Sequence, residues 1–206
     1  MKIVLASTSP RRIEMMGWLG IRFTTKNPDL DESKIRDADP IKLTQKLSEA
    51  KSKSVGKKTK NALIIGSDAV VSFQGKIIEK PKDKDDQRRM LYLQRGKPAV
   101  VVTSVCVFDT ATGKKLVRTK KTKYVMANVS DREIEEYIKT GVGLTRAGGY
   151  GQQDEHGMFI GSELDCYPNS IGFPICMVKE MLAEFGINIE KDIKKIVKHI
   201  NFTFSK

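Results

Sequence analysis

Only two histidines occur in the 206 residues, His156 and His199, so a multi-histidine metal site cannot form within one chain. The three cysteines, Cys106, Cys166 and Cys176, are an odd number without metal-like spacing. They point to reduced thiols and a cytoplasmic setting. No Walker A sequence is present, because Gly66 to Gly75 has the wrong spacing and is followed only by Lys76. A GxSxG elbow and a complete GxGxxG are also missing. Serine–histidine hydrolysis and standard dinucleotide binding are therefore disfavoured. The longest apolar stretch, Ala99 to Phe108, is interrupted by Thr103 and Ser104 and is too short to span a bilayer. Lys2 leads directly into the apolar Ile3-Val4-Leu5, so neither a signal peptide nor membrane attachment is expected.

What is present fits a globular chain, with 39% hydrophobic and 30% charged residues. Its length suits one domain over 1–206, with a real core and two closely joined lobes. Lys and Arg number 37 against 25 Asp and Glu, a net charge of +12. Such a surface attracts polyanions, either nucleic acid or nucleotides. Part of the excess sits in residues 51–60 and 114–123, both of which also read as ordinary solvated faces.

The order of elements is mixed. A strand over 2–6 leads to a helix from about Pro10 to Leu19, then a short strand with Ile21, Phe23 and Thr25. An acidic loop with Asp29, Asp31 and Glu32 precedes a four-turn helix opened by Asp39-Pro40. Ala62 to Gly66 reads as a buried strand, and Val70 to Phe73 with Lys76 to Glu79 as a separate hairpin. A helix over about 83–94 is followed by two long strands, Val100 to Phe108 and Lys115 to Met126. Ser130 and Glu133 form a capping box. Residues 141–174 are Gly-rich and irregular, and helices near 174–185 and 190–200 close the chain. The pattern predicts an α/β fold built on a long mixed sheet flanked by helices.

Candidate chemistry gathers at loop junctions. In Ala6-Ser7-Thr8-Ser9-Pro10-Arg11-Arg12, Ser9 can cap a helix whose first residue is Pro10. Free N–H groups at that helix start and two guanidiniums make an anion seat suited to phosphate. A capped helix with two solvated arginines is the bland alternative. Asp68, read at the end of the buried strand, is placed to hold a metal or activate water. Glu32, Lys51, Lys80 and the loop Gly148 to Gln153 complete the inventory. Arginines, lysines and carboxylates without a nucleophile suit chemistry on a phosphoanhydride.

The segment 6–12 resembles the N-terminal signature of the Maf family of nucleotide pyrophosphatases, and the likeness continues in order. Asp29 to Ser33, Leu47 to Lys51, Ile64 to Val71, Glu79-Lys80-Pro81, Ala147 to Gln153 and Asn169 to Pro174 each resemble a family motif. The resemblance implies two lobes around a cleft over an elongated mixed sheet, as in inosine triphosphate pyrophosphatases. It also implies hydrolysis of a nucleoside triphosphate to the monophosphate and pyrophosphate with Mg2+ or Mn2+, commonly in a homodimer. By the same resemblance Ser7, Arg11, Arg12, Lys51 and Lys80 bind the triphosphate. Asp68 accepts the proton, Glu32 and Asp68 lie near the metal, and Gln153, Arg11 and Ala69 take part in substrate choice. Ala69 departs from both known branches, which have threonine or glutamine there. Reaction class therefore follows from the resemblance and the preferred base does not. Two rival readings stay open. One is a basic nucleic-acid-binding or regulatory protein without turnover, although specific nucleic-acid binding is not expected. The other is a phosphohydrolase that releases inorganic phosphate.

Overall fold

The computed structural model describes residues 1–151, 166–193, 195 and 196. Six strands form one mixed sheet. They are β1 (Lys2–Leu5), β2 (Thr24–Thr25), β3 (Ala62–Phe73), β4 (Lys76–Ile78), β5 (Pro98–Asp109) and β6 (Lys115–Val125). The helices are α1 (Pro10–Gly17), α2 (Pro40–Gly56), α3 (Lys84–Gln94), α4 (Asp131–Thr140), α5 (Tyr167–Ser170) and α6 (Ile175–Ala183). The path across the sheet is β2-β1-β3-β5-β6, with β1 parallel to β2 and β3, and β5 antiparallel to both its neighbours. The α/β mixed sheet flanked by helices is the architecture expected. The last expected helix, near 190–200, lies partly outside the described residues.

One expectation needs correction. Ala62 to Gly66 and Val70 to Phe73 are not separate strands, because β3 runs unbroken through Gly66-Ser67-Asp68-Ala69. Asp68 therefore lies mid-strand, facing Ser104 of β5, rather than at a strand end. Gly-Ser-Asp reads as a break locally, yet pairing along one edge with β5 holds it extended. The hairpin itself forms as expected, with Gln74 at φ 50° and Gly75 at φ 77° supplying the two left-handed residues of a tight turn.

The other edge of β3 decides where chemistry sits. β1 covers it over Ala62 to Ile65, and β4 covers it over Val71 to Phe73. Between them, residues 66–70 have no strand on that side. Side chains on both faces of the sheet flank this notch, Asp68 on one and Ala69 on the other, because alternate residues of a strand point to opposite faces.

Helices pack against the two faces differently. On one face, α2 lies along β3 and β5, with Thr44 Oγ1 2.8 Å from Ser104 Oγ and Ser52 Oγ donating to Cys106 Sγ at 3.0 Å. The opposite face carries two separate apolar cores. One joins Leu5, Met15, Met16, Ile65 and Phe173 with α6, and the other joins Phe73, Leu91, Tyr124 and Ile134 around α3 and α4. A cleft lined by residues beside both cores lies between them, and each core with its helices is termed a lobe. The basic segments behave as solvated faces in part: Lys58 pairs with Asp29, and Lys53 and Lys115 both pair with Glu49.

α2 packs directly over Gly66 of β3. A Cβ there would press on the Ser48 carbonyl oxygen and lie 2.8 Å from the Ser52 nitrogen, both backbone atoms of α2. Gly66→Ala is expected to destabilise the fold by about 1–3 kcal/mol, the usual cost of overpacking. Thermal unfolding checks this, and an unchanged melting temperature would mean that α2 yields freely.

Candidate active site

α1 starts at Pro10 with Ser9 as its N-cap, but the Ser9 side chain makes no capping bond. The Ser7 hydroxyl instead accepts from the Ser9 N–H at 3.1 Å, so the loop is held by the serine two residues earlier. Ser7 is buried and shapes the loop without lining the cleft. Arg12 swings from α1 onto the notch in β3. Ala6 N–H donates to Ile65 O at 2.8 Å as the last β1 rung, and the next carbonyl on that edge, Ser67 O, accepts from Arg12 Nη1 at 2.8 Å. Arg12 Nε also donates to Gly172 O at 3.3 Å, tying the loop before α6 to the sheet. A guanidinium thus continues a strand edge, and its remaining N–H groups stay available to a ligand. Burial lowers the Arg12 pKa, opposed by the charges of Asp68 and Glu32.

On the α2 face, Lys51 Nζ joins two carboxylates, donating to Asp68 Oδ1 at 2.7 Å and lying 2.9 Å from Glu32 Oε2. Asp68 and Lys51 side chains are only 11% and 8% exposed, whereas Glu32 is 53% exposed. Burial raises the Asp68 pKa; Lys51 and Arg12 oppose that rise, and Glu32 adds to it. Asp31 caps the 3-10 turn over Glu32–Lys34 by accepting the Ser33 N–H. Among the described residues no set of three or more His, Cys, Asp or Glu gathers at one point. Two carboxylates already converging on one cation fit a hard divalent ion, which keeps waters and substrate oxygens in its remaining positions.

The cleft holds a cavity of about 380 Å³. Arg11, Arg12, Lys80 and Arg146 line it, and no carboxylate does so among the described residues. Its floor includes Ala69, Val71 and Val101 of the sheet. Burial pushes the Tyr124 phenol on the wall up to about 12, so that group is neutral at ordinary pH. The structure therefore brings Arg11, Arg12, Lys80 and Ala69 to one cavity and Glu32, Lys51 and Asp68 to one cluster, with Arg12 reaching both. Gln153, with its neighbours Gln152 and Asp154, lies outside the described residues. Arg146 was missed by sequence reasoning, since one arginine in a Gly-rich loop carries no periodic or capping signal.

The model of Maf-like proteins matches residues 2–185. The chain belongs to the Maf family. It is 34% identical over 188 residues to the dTTP/UTP pyrophosphatase of Pelotomaculum thermopropionicum, covering 91% of this chain and 98% of that one. Identity to the dTTP/UTP pyrophosphatase of Clostridium botulinum is 36% over 191 residues, with coverage of 91% and 98%. Among solved structures, a HAM1 protein from Coxiella burnetii superposes with a TM-score of 0.51 at 12% identity, covering 89% of this chain and 99% of that one. That likeness extends the expected Maf fold to a HAM1 protein.

Proposed function

We propose that this Maf-family protein is a nucleoside triphosphate pyrophosphatase that releases pyrophosphate and the nucleoside monophosphate. The carrying observation is the pairing of a cation-lined cavity with a carboxylate cluster built on the buried Asp68 across one notch in β3. The relatives' names, dTTP/UTP pyrophosphatase, support the same activity and make pyrimidine triphosphates the first substrates to try.

In this reading Arg11, Arg12 and Lys80 take the polyphosphate, the guanidiniums as planar forks and the lysine as a point charge. Asp68 accepts a proton from the attacking water. The water oxygen bonds to the α-phosphorus, the bond from that phosphorus to the bridging oxygen breaks, and the electron pair leaves with pyrophosphate. Lys51 keeps Asp68 oriented and offsets its charge. Glu32 and Asp68 would hold Mg2+ or Mn2+, which supplies neutralisation of phosphate charge when bound. Ala69 on the cavity floor and Gln153 would share in base choice. Cytoplasmic location and a homodimer belong to the same proposal; no helix among the described residues is long and apolar enough to cross a membrane.

A panel of canonical and modified triphosphates, assayed for pyrophosphate, tests the reading. Removal of divalent ions by a chelator is expected to abolish release, and Mg2+ or Mn2+ to restore it. Full activity in chelator would reject the metal assignment. Tight binding of nucleic acid that falls steeply with salt, with no turnover of small triphosphates, would favour the rival reading.

A further inference from the structure

We infer that Arg146 is a further substrate-binding residue that grips the polyphosphate from the lobe built on α3 and α4. The inference rests on the pyrophosphatase reading and assigns a contact within the same site. Arg11 and Arg12 both come from α1, beside the other apolar core. Among the described residues lining the cavity from the α3–α4 side, the cations are Arg146 and the exposed Lys80. Arg146 is half-buried and lines the cavity that Arg11, Arg12 and Lys80 also line.

The loop that carries Arg146 is anchored rather than loosely draped. Gln87 Nε2 donates to Gly149 O at 3.0 Å, and Gln94 Nε2 donates to Gly148 O at 2.8 Å. Both glutamines lie on α3 and are almost wholly buried, at 0% and 1% exposed. Gly148 N–H donates to Glu79 O at 3.0 Å, which ties this loop to the residue before Lys80. Arg146 itself closes a turn, donating its N–H to Gly143 O at 3.0 Å and accepting from Gly149 N–H at 3.1 Å. Gly143 has no room for a side chain: a Cβ there would run into Gln87 Nε2 and Gly149 O. Two buried amides, two adjacent carbonyls and a packed glycine thus fix the backbone under a single cationic side chain. A cationic side chain on a fixed backbone binds a polyanion more strongly than one on a mobile loop, since less ordering is required on binding.

Calorimetric titration with inorganic tripolyphosphate in Mg2+ tests this directly, with dTTP and UTP hydrolysis measured in parallel. Arg146→Ala is expected to weaken tripolyphosphate binding about 10-fold or more, the loss of a charge-assisted contact. Arg146→Lys should recover part of that loss, and KM should rise more than kcat falls. Arg132→Ala, which removes an exposed arginine paired with Glu136 on α4, should change nothing. Unchanged tripolyphosphate affinity in folded R146A overturns the inference while leaving the pyrophosphatase reading intact. Tripolyphosphate binding that depends on Arg146, with no pyrophosphate released from any triphosphate, supports the inference and rejects that reading. Should R146A fail to fold, Arg146→Gln decides. If no neutral variant folds, Arg146 is structural and the inference is wrong.

Discussion

Asp68→Asn is expected to fold normally and to lose about 100- to 10,000-fold in turnover, the range for removing a general base. The substitution keeps the shape of the side chain, removes the proton acceptor and takes away one of the two proposed metal carboxylates. It should not weaken the fold. Burial raises the Asp68 pKa above its ordinary value, so the unfolded chain gives up this proton at a lower pH than the folded protein does. As pH rises between those two points, ionisation stabilises the unfolded chain, and the wild-type protein loses stability relative to a neutral side chain. Asn escapes that cost, and Lys51 still has Glu32 at 2.9 Å. Pyrophosphate release and circular dichroism, measured together, read both halves. Turnover close to wild type in a folded D68N protein would remove Asp68 from the mechanism.

Lys51→Met is expected to do the opposite to the fold. Here the cation leaves and two carboxylates remain, one of them largely buried. Removing one partner of a buried ion pair costs about 3–5 kcal/mol. Arg12 still lowers the Asp68 pKa in part, so the lower end of that range applies. For a chain of this size the loss corresponds to a fall of roughly 6–12 °C in Tm. The effect should depend on pH with a definite sign. Lys51 opposes the rise in the Asp68 pKa both by its charge and by its hydrogen bond, so its removal moves that pKa further up. Well below the ordinary carboxylate value the Asp68 carboxyl is protonated in both states and this part of the penalty vanishes; it grows as pH rises from the unfolded value toward the raised folded one. Metal-free melts of K51M and wild type across pH 4 to 8 should therefore diverge as pH rises. Parallel curves would mean that Lys51 and Asp68 are not coupled.

The residues that sequence reading placed well are those whose signal is local. The run Ser9-Pro10 starts α1, Asp39-Pro40 starts α2, and Ser130 with Glu133 caps α4 with both reciprocal bonds formed. The order of motifs also pointed to the family and to the cations that reach the cavity. What was not legible depends on partners far away in the chain. Gly66-Ser67-Asp68 looks like the end of a strand, and only the pairing with Val105, Ser104 and Cys106 keeps it extended. The notch beside Asp68 exists because β1 stops at Leu5 and β4 begins pairing at Val71, a fact of sheet order that no window of sequence contains. The motif presents Arg12 as a phosphate ligand, and its bonds to Ser67 O and Gly172 O add a second, structural duty. Arg146 depends on buried Gln87 and Gln94, two polar residues on the inward side of a helix whose partners are loop carbonyls.

The central claim is that this cleft cleaves between the α- and β-phosphates. Chromatographic identification of the products formed from dTTP or UTP in Mg2+ tests it most directly. Nucleoside monophosphate and pyrophosphate in equal amounts, lost on replacing Asp68 by Asn, are the predicted result. Nucleoside diphosphate and inorganic phosphate would contradict it.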